Sequence, residues 1–270
     1  MVVLPAWIVD LDGVVYRGSE VLPGAVEFFE RAQSRGDPVV VVSNNSAPTV
    51  EEYVARLGRM GIRIGPRQVV SSALAAAQFL ARRRLRGPVM AIGEAGLLQA
   101  LGEAGLEVVA PDGAPASPKV EAVVVGIDRR FTYDRLTAAC QAIRAGALFV
   151  GTNPDVTVPA EGGRLRPGCG SLLAAVSTCS GVQPVVVGKP HPPIMELAME
   201  RLGVGAAGAR HEVIVVGDRL DTDIRAAKAL GLKGALVLTG VTSRTDAGGG
   251  VRPDWIFDDL QHLTDALMGG

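Results

Sequence analysis

An apolar run stops in two acidic residues in the stretch Ile8-Val9-Asp10-Leu11-Asp12-Gly13-Val14-Val15-Tyr16-Arg17-Gly18. Its first residues are apolar at successive positions, which is typical of a strand buried on both faces of a parallel sheet. Open α/β sheets hold ligands at the carboxyl ends of their strands, so Asp10 and Asp12 are candidate functional residues. The alternative is a structural turn, because Asp-Gly pairs are common in turns.

Two further apolar runs stop in polar residues, in Val39-Val40-Val41-Val42-Ser43-Asn44-Asn45 and in Val185-Val186-Val187-Gly188-Lys189-Pro190. Ser43 can donate a hydrogen bond to a phosphate oxygen, and the backbone amides of Asn44 and Asn45 could form an anion-binding turn. The alternative for this segment is a helix cap. Lys189 offers a point charge for a phosphate, and the alternative is an exposed surface lysine.

A fourth run carries a group of acids, in Val213-Ile214-Val215-Val216-Gly217-Asp218-Arg219-Leu220-Asp221-Thr222-Asp223. Three carboxylates within six residues repel one another, and this favours a hard cation with oxygen ligands, for which Mg²⁺ is the best candidate. The structural alternative is that Thr222 caps a helix, but a cap does not require three clustered acids. The three acids Asp218, Asp221 and Asp223 are therefore candidate metal ligands.

Short valine- and isoleucine-rich runs alternate with amphipathic, alanine- and leucine-rich stretches throughout the chain. The helices expected over Gly24 to Ser34 and over Thr222 to Leu230 each follow such a run. This alternation predicts an α/β fold in which helices flank a parallel sheet. Residues 81–184 repeat a smaller unit of the same kind, so we predict an inserted α/β domain between a first core part, 1–80, and a second, 185–270.

The composition excludes several classes of protein. The chain has 270 residues, with 27 Lys+Arg against 28 Asp+Glu, so a protein that coats a nucleic acid polymer is not expected. The apolar runs are far shorter than the roughly 20 residues that cross a bilayer, and the first residues lack the cationic segment of a secretory signal. We therefore predict a cytoplasmic protein with no membrane partner, whose three cysteines are reduced, mostly structural thiols.

Taken in order, the four strand-end motifs resemble those of the haloacid dehalogenase (HAD) superfamily. The strings around Asp10, Ser43, Lys189 and Asp218 look like its class IIA branch, which includes NagD-like nucleotidases and p-nitrophenyl, phosphoglycolate and pyridoxal phosphatases. The resemblance covers nearly the whole chain, including Gly151-Thr152-Asn153-Pro154-Asp155. It implies a Rossmann-like HAD core, a parallel sheet flanked by helices, with an inserted α/β cap domain.

The resemblance also implies an activity, namely Mg²⁺-dependent hydrolysis of a small phosphorylated metabolite through an aspartyl-phosphate. Asp10 would be the nucleophile and Asp12 the general acid and base. The metal would be held by the Asp10 carboxylate, the Asp12 main-chain carbonyl and Asp218, with Asp223 bound through water or orienting Lys189. The residues implied as substrate selectors lie in the cap: Asn153, Asp155 and Val158. Class IIA proteins often form homodimers through the cap.

Two other functions are compatible with parts of the pattern. A phospho-accepting signalling domain also places acids, a hydroxyl and a lysine at the edge of a parallel sheet, but it would be about half this length and has no use for a large insert. A catalytically silent binding protein on the same fold has no need for both Asp10 and Asp12. The segment Gly168-Cys169-Gly170-Ser171 lacks the strand–turn–helix setting of a nucleophile, so we interpret it as a loop leading into a helix.

Overall fold

The structure, a computed structural model, describes residues 5–85, 87–111, 119–159, 164–204, 212–246 and 250–269. These residues form two compact units. The first unit contains the described residues within Met1–Ser43, Glu51–Val70 and Met195–Gly270, and the second those within Asn44–Val50 and Ser71–Ile194. The domain boundaries that we placed at residues 80/81 and 184/185 stay a prediction.

The strands, in chain order, are β1 (Pro5–Asp10), β2 (Tyr16–Arg17), β3 (Glu20–Val21), β4 (Val39–Ser43), β5 (Val69–Ser71), β6 (Val89–Ile92), β7 (Val108–Val109), β8 (Ala122–Val125), β9 (Leu148–Gly151), β10 (Thr157–Pro159), β11 (Leu165–Pro167), β12 (Val185–Val186), β13 (Glu212–Gly217), β14 (Lys233–Val237) and β15 (Trp255–Phe257). The α-helices are α1 (Ala25–Arg35), α2 (Val50–Arg59), α3 (Ser72–Ala81), α4 (Ala95–Glu103), α5 (Tyr133–Arg144), α6 (Cys169–Ser180), α7 (Pro192–Arg201), α8 (Arg225–Ala229) and α9 (Leu260–Met268).

The sheet of the first unit has six strands in the order β15-β14-β13-β1-β4-β5. β1 lies at its centre and runs parallel to both neighbours, with Ile8 paired to Val215 on one side and to Val40 on the other. Trp7 and Ile8 are buried, as expected for a strand covered on both faces. Because neighbouring strands are parallel, the carboxyl ends of β1, β4 and β13 meet at one edge of the sheet.

The second unit has a five-stranded sheet in the order β12-β9-β8-β6-β7, and all of its strand pairs are parallel. Buried side chains of β6, β8 and β9, among them Ile92, Val123 and Phe149, pack with residues of α5 and α6. β10 and β11 form a separate antiparallel pair. The predicted α/β class, with parallel sheets flanked by helices, is confirmed.

Local elements differ from the sequence prediction where the pattern is short or the backbone irregular. The helix that we expected from Thr222 begins earlier, with a π-helical turn over Leu220–Ile224 that continues into α8. Strands β2 and β3 have two residues each, too few to show a periodic apolar pattern. Among the described residues no helix is both long enough and apolar enough to cross a membrane.

Candidate functional site

Three carboxylates of the first unit lie together at the carboxyl edge of its sheet. Asp10 ends β1, Asp218 follows β13 and Asp223 lies in the π-helical turn. One carboxylate oxygen from each residue lies within 4.8 Å of the others. Asp218 and Asp223 are each 1% exposed, whereas Asp10 is partly exposed. Like charges this close are unfavourable in a buried setting, so the cluster suits a bound cation.

Two glycines give the Asp218 carboxylate its space. A Cβ atom added to Gly240 would lie 1.8 Å from Asp218 Oδ2, and one added to Gly13 would lie 2.6 Å from the same oxygen. The Val241 N–H donates a hydrogen bond to this oxygen at 2.7 Å, and the Thr239 hydroxyl donates to the Gly13 carbonyl at 2.6 Å. The loops after β1 and β14 therefore close around Asp218.

Gly240 is a site residue that the sequence motifs described above do not include. A signal for it exists, since the run Ala235-Leu236-Val237-Leu238-Thr239-Gly240 is a further apolar strand that stops in a hydroxyl and a glycine. The runs that end at Asp10 and Ser43 have the same form. The sequence does not show which carboxylate Gly240 meets, because Asp218 and Gly240 follow different strands and only the packing of the sheet brings them together.

Asp223 is held by the turn in which it lies. The Arg219 N–H donates to Asp223 Oδ2 at 3.2 Å, and a Cβ atom at Gly217 would lie 2.2 Å from Asp223 Cβ. Asp221, the third acid of the motif, instead forms an ion pair with the Arg219 guanidinium at 2.8 Å. Hydrogen bonding to that guanidinium lowers the pKa of Asp221. The motif thus divides into two acids of the cluster and one paired surface acid.

Asp12 lies outside the cluster of three carboxylates. It is exposed and follows β1 in a tight turn, which is closed by the Gly13 N–H donating to the Tyr16 carbonyl at 2.8 Å. Burial, and then the negative charge of Asp12, raise the pKa of Tyr16 well above its ordinary value. The Arg56 guanidinium lies 3.8 Å from the centre of the Tyr16 ring. Asp12 is therefore accessible and lies near a buried phenol, whose ring is covered by a cation.

Ser43 lies at the end of β4 and is buried. The hydroxyl of Tyr53, on α2, donates a hydrogen bond to Ser43 Oγ at 3.2 Å. Tyr53 is itself buried, and this burial raises its pKa well above the ordinary value, so it remains a neutral donor. Tyr53 was not among the residues selected from the sequence, because ten residues separate it from Ser43 and a helical tyrosine is ordinarily a core residue.

The candidate residues of the second unit meet around the side chain of Asn44. Its Nδ2 donates to the Lys189 carbonyl at 3.1 Å and to Asp155 Oδ2 at 3.0 Å. Its Oδ1 accepts a hydrogen bond from the Lys189 N–H at 2.8 Å. The Asn153 side chain donates to the Asn44 carbonyl at 2.7 Å. The structure thus brings Asn44, Asn153, Asp155 and Lys189 together.

The other two candidates of this unit lie in different settings. The Asn45 side chain accepts a hydrogen bond from the Ala47 N–H at 3.1 Å, which makes a local turn. Val158 is half-buried on β10, opposite Arg166 on β11. Asn153 is buried and hydrogen-bonded, so of the three predicted substrate selectors its side chain is the most enclosed.

The segment around Cys169 is structural. Cys169 begins α6 and its thiol donates to the Val125 carbonyl at 3.4 Å, while burial raises the thiol pKa. A Cβ atom at Gly170 would lie 2.3 Å from the Pro154 carbonyl oxygen, and the Gly170 N–H donates to the Asp155 carbonyl at 2.8 Å. The glycines therefore allow the 153–156 loop to rest on the start of α6. The interpretation of this segment as a loop is wrong for Cys169, Gly170 and Ser171, because these residues form the first turn of α6.

Comparison with known families assigns the chain to one of them. The family model described as haloacid dehalogenase-like hydrolase matches residues 7–107, and a second, described as HAD-hydrolase-like, matches residues 186–263. The chain belongs to the haloacid dehalogenase superfamily of hydrolases, in its class IIA, NagD-like branch. The family predicted from the strand-end motifs is confirmed.

Individual relatives match over almost the full chain. The acid sugar phosphatase of Staphylococcus aureus (strain USA300) is 39% identical over 256 residues, 94% of this chain and 95% of the relative. A hypothetical protein from Pyrococcus horikoshii OT3 has a TM-score of 0.91 at 39% identity, covering 98% of this chain and all of its own. A glycerol phosphate phosphatase from Mycobacterium tuberculosis, solved with magnesium, has a TM-score of 0.86 at 37% identity, covering 96% of this chain and 76% of its own.

Proposed function

We propose that this protein hydrolyses phosphate monoesters of small metabolites, with Mg²⁺ as cofactor and an aspartyl-phosphate on Asp10 as intermediate. The observation that carries the proposal is the cluster of Asp10, Asp218 and Asp223, whose oxygens lie within 4.8 Å of one another. Membership of the HAD hydrolases supports an enzyme of the phosphatase type over the other two functions considered above.

The cluster fits a hard divalent cation. Its donors are all carboxylate oxygens, the donor type that Mg²⁺ prefers, and Gly240 and Gly13 leave space at Asp218 that side chains would fill. We assign the carboxylates of Asp10 and Asp218 and the main-chain carbonyl of Asp12 as direct ligands. Asp223 would bind the ion through a water molecule or act as an orienting group. When bound, the ion would neutralise negative charge on the phosphate and on the acids around it.

Two acids carry the bond changes in this proposal. An oxygen of the Asp10 carboxylate attacks phosphorus while the bond to the ester oxygen breaks, and the Asp12 carboxyl donates its proton to that leaving oxygen. Asp12 then takes a proton from water, whose oxygen attacks the phosphorus of the aspartyl-phosphate. Phosphate leaves and the Asp10 carboxylate is regenerated. The partial exposure of Asp10 and the exposure of Asp12 support these roles.

The phosphate would be bound by groups that donate hydrogen bonds or carry positive charge. We assign the Ser43 hydroxyl, the Lys189 ammonium group and the backbone amides of Asn44 and Asn45 to this task. The leaving group would meet the cap residues Asp155 and Val158. The relatives named acid sugar phosphatase and glycerol phosphate phosphatase support a small phosphorylated metabolite as substrate. A homodimer through the cap stays a prediction.

Release of p-nitrophenol from p-nitrophenyl phosphate tests the proposal. We expect turnover that requires Mg²⁺, stops with a chelator and returns when Mg²⁺ is added back. Asp10→Asn should lower kcat by at least about 10³-fold, because an amide is a poor nucleophile. Asp265→Asn is the matched control: Asp265 is an exposed aspartate of the same unit, and this variant should keep the full rate.

The alternatives predict different results in the same assay. A phospho-accepting signalling domain would take up phosphate from an acyl phosphate without releasing it repeatedly, and a silent binding protein would give no turnover. Equal rates for Asp10→Asn and the unsubstituted protein, or a rate that does not depend on a divalent cation, would contradict the proposed function. A panel of sugar, glycerol and nucleotide phosphates then identifies the preferred leaving group.

A further inference from the structure

The Asn44 side chain holds both backbone polar groups of Lys189. Its amide oxygen accepts from the Lys189 N–H at 2.8 Å and its amide nitrogen donates to the Lys189 carbonyl at 3.1 Å. A primary amide is the smallest side-chain group that supplies an acceptor and a donor in this arrangement, since a carboxylate has no donor and a hydroxyl cannot reach both groups. The 145 residues between Asn44 and Lys189 make this a tertiary contact.

The space around this contact is closed. A Cβ atom at Gly188 would lie 2.7 Å from Asn44 Oδ1 and 2.5 Å from the Thr152 carbonyl oxygen, so glycine is required where the segment that follows β12 passes these two residues. Lys189 is 3% exposed, which is rare for a lysine and calls for defined partners. The backbone of Lys189 is therefore fixed from two sides, and its long side chain starts from a defined point.

The Asn44 side chain donates a second hydrogen bond, which connects Lys189 to the loop of residues 153–156. The same Nδ2 atom that donates to Lys189 donates to Asp155 Oδ2 at 3.0 Å, and the Asn153 side chain anchors the Asn44 carbonyl. The loop itself rests on α6 through the hydrogen bond from the Gly170 N–H to the Asp155 carbonyl. A shift of the 153–156 loop would thus be transmitted to Lys189 through one amide group.

We infer that Asn44 is a positioning residue, whose side-chain amide sets the location of the Lys189 ammonium group and couples it to Asp155 in the substrate-selecting loop. The inference rests on the proposed function, because it assumes that Lys189 binds the phosphate. It assigns the Asn44 side chain a role different from that of its backbone amide. A displacement of about 1 Å in a charged group of an active site can cost about 10²-fold in rate.

The sharpest single variant is Asn44→Asp, which preserves shape and the acceptor for the Lys189 N–H. It removes both donated hydrogen bonds and places a second carboxylate beside Asp155, so we expect kcat/KM for p-nitrophenyl phosphate to fall about 10²-fold. The inhibition constant of inorganic phosphate should rise with it. Adding Asp155→Asn to this variant supplies an amide N–H that can donate to the new carboxylate at position 44. The double variant should therefore have a kcat/KM about tenfold higher than that of Asn44→Asp alone.

A double-mutant cycle separates positioning from general packing. Asn44→Ala should lower kcat/KM about 10²-fold in the unsubstituted protein but less than about threefold in a Lys189→Met background, because there is then no ammonium group to position. Single-turnover measurements with enzyme in excess keep the slow variants measurable. Thr132→Ala is the control, since it removes a helix cap of α5 in the same unit and should lower the melting temperature while leaving kcat/KM unchanged.

Three results would overturn the inference. The first is an equal loss from Asn44→Ala in both backgrounds, which would make the residue a packing element. The second is an unchanged kcat/KM in Asn44→Asp, and the third is no recovery on adding Asp155→Asn to it. If Asn44→Ala does not fold, Asn44→Asp and the double variant Asn44→Asp with Asp155→Asn still test the inference. Failure of the unsubstituted protein to hydrolyse p-nitrophenyl phosphate would instead overturn the proposed function, and with it the assumption that Lys189 binds phosphate.

Discussion

Substitution of Gly240 by alanine should disable the acidic cluster although none of its acidic residues is replaced. The added Cβ atom would lie 1.8 Å from Asp218 Oδ2, whereas ordinary contact begins at 3.4 Å, so the carboxylate must move by about 1.6 Å. The φ angle of Gly240 lies outside the left-handed region, so the backbone itself tolerates alanine. The shift would also break the 2.7 Å hydrogen bond from the Val241 N–H.

A displacement of this size in a metal ligand should lower kcat/KM for p-nitrophenyl phosphate by about 10²-fold or more. The Mg²⁺ concentration for half-maximal rate should rise, and overpacking should cost about 1–3 kcal/mol of unfolding free energy. Gly58→Ala is the matched control, because Gly58 is exposed on α2 with no atom near the added Cβ. It should raise stability by about 0.5–1 kcal/mol and leave the rate unchanged. A Gly240→Ala protein with unaltered Mg²⁺ dependence and rate would refute this account of Asp218.

Three further predictions concern other parts of the chain. Tyr53→Phe removes the hydrogen bond to Ser43 Oγ, worth about 1–1.5 kcal/mol, so kcat/KM should fall roughly tenfold; an unchanged value would remove Tyr53 from the site. The Asp259 carboxylate raises the pKa of His262 above 6.5, so this pair stabilises the fold below pH 6.5 and the contribution is lost as the pH rises through the raised pKa. The free energy of unfolding, measured with urea below pH 6.5 and above the raised pKa, should depend less on pH in His262→Gln than in the unsubstituted protein. An identical pH dependence would contradict the pairing. Finally, an aromatic disulfide reagent should label Cys179, which is exposed, before the other two cysteines, which are buried; rapid labelling of all three would contradict their burial.

The acidic cluster could be anticipated from the sequence because it depends on local patterns. Continuous valine runs predict buried parallel strands, and such strands end at one edge of a sheet, so Asp10 and Asp218 follow from strand-end position alone. Asp223 lies five residues after Asp218, close enough along the chain to lie at the same end of the strand. The choice of Asp223 over Asp221 came from the resemblance to the family and not from the local pattern, because it depends on a π-helical turn and on the pairing of Asp221 with Arg219.

Contacts between residues that lie far apart in the sequence could not be predicted from it. The Asn44 amide meets Asp155 across 111 residues, and nothing in either local sequence indicates the other as its partner. The same is true of Asp254, which accepts from the Gly234 N–H at 2.7 Å and forms ion pairs with Lys228 and Lys233. In the sequence these lysines resemble ordinary surface charges, because a lysine's partner is set by tertiary packing. Local pattern thus predicts where a side chain lies in the fold, and packing decides what it contacts.

The central claim is that Asp10 carries the phosphoryl group during turnover. Asp12→Asn should slow hydrolysis of the intermediate by at least about 10²-fold, while p-nitrophenolate, a good leaving group, departs without needing a proton. Mixing this variant with p-nitrophenyl phosphate and Mg²⁺, quenching in acid and mapping peptides by mass spectrometry tests the claim most directly. We predict a burst of one p-nitrophenol per enzyme and a phosphorylated peptide that contains Asp10. Steady turnover with no burst and no phosphorylated Asp10 peptide would contradict the account.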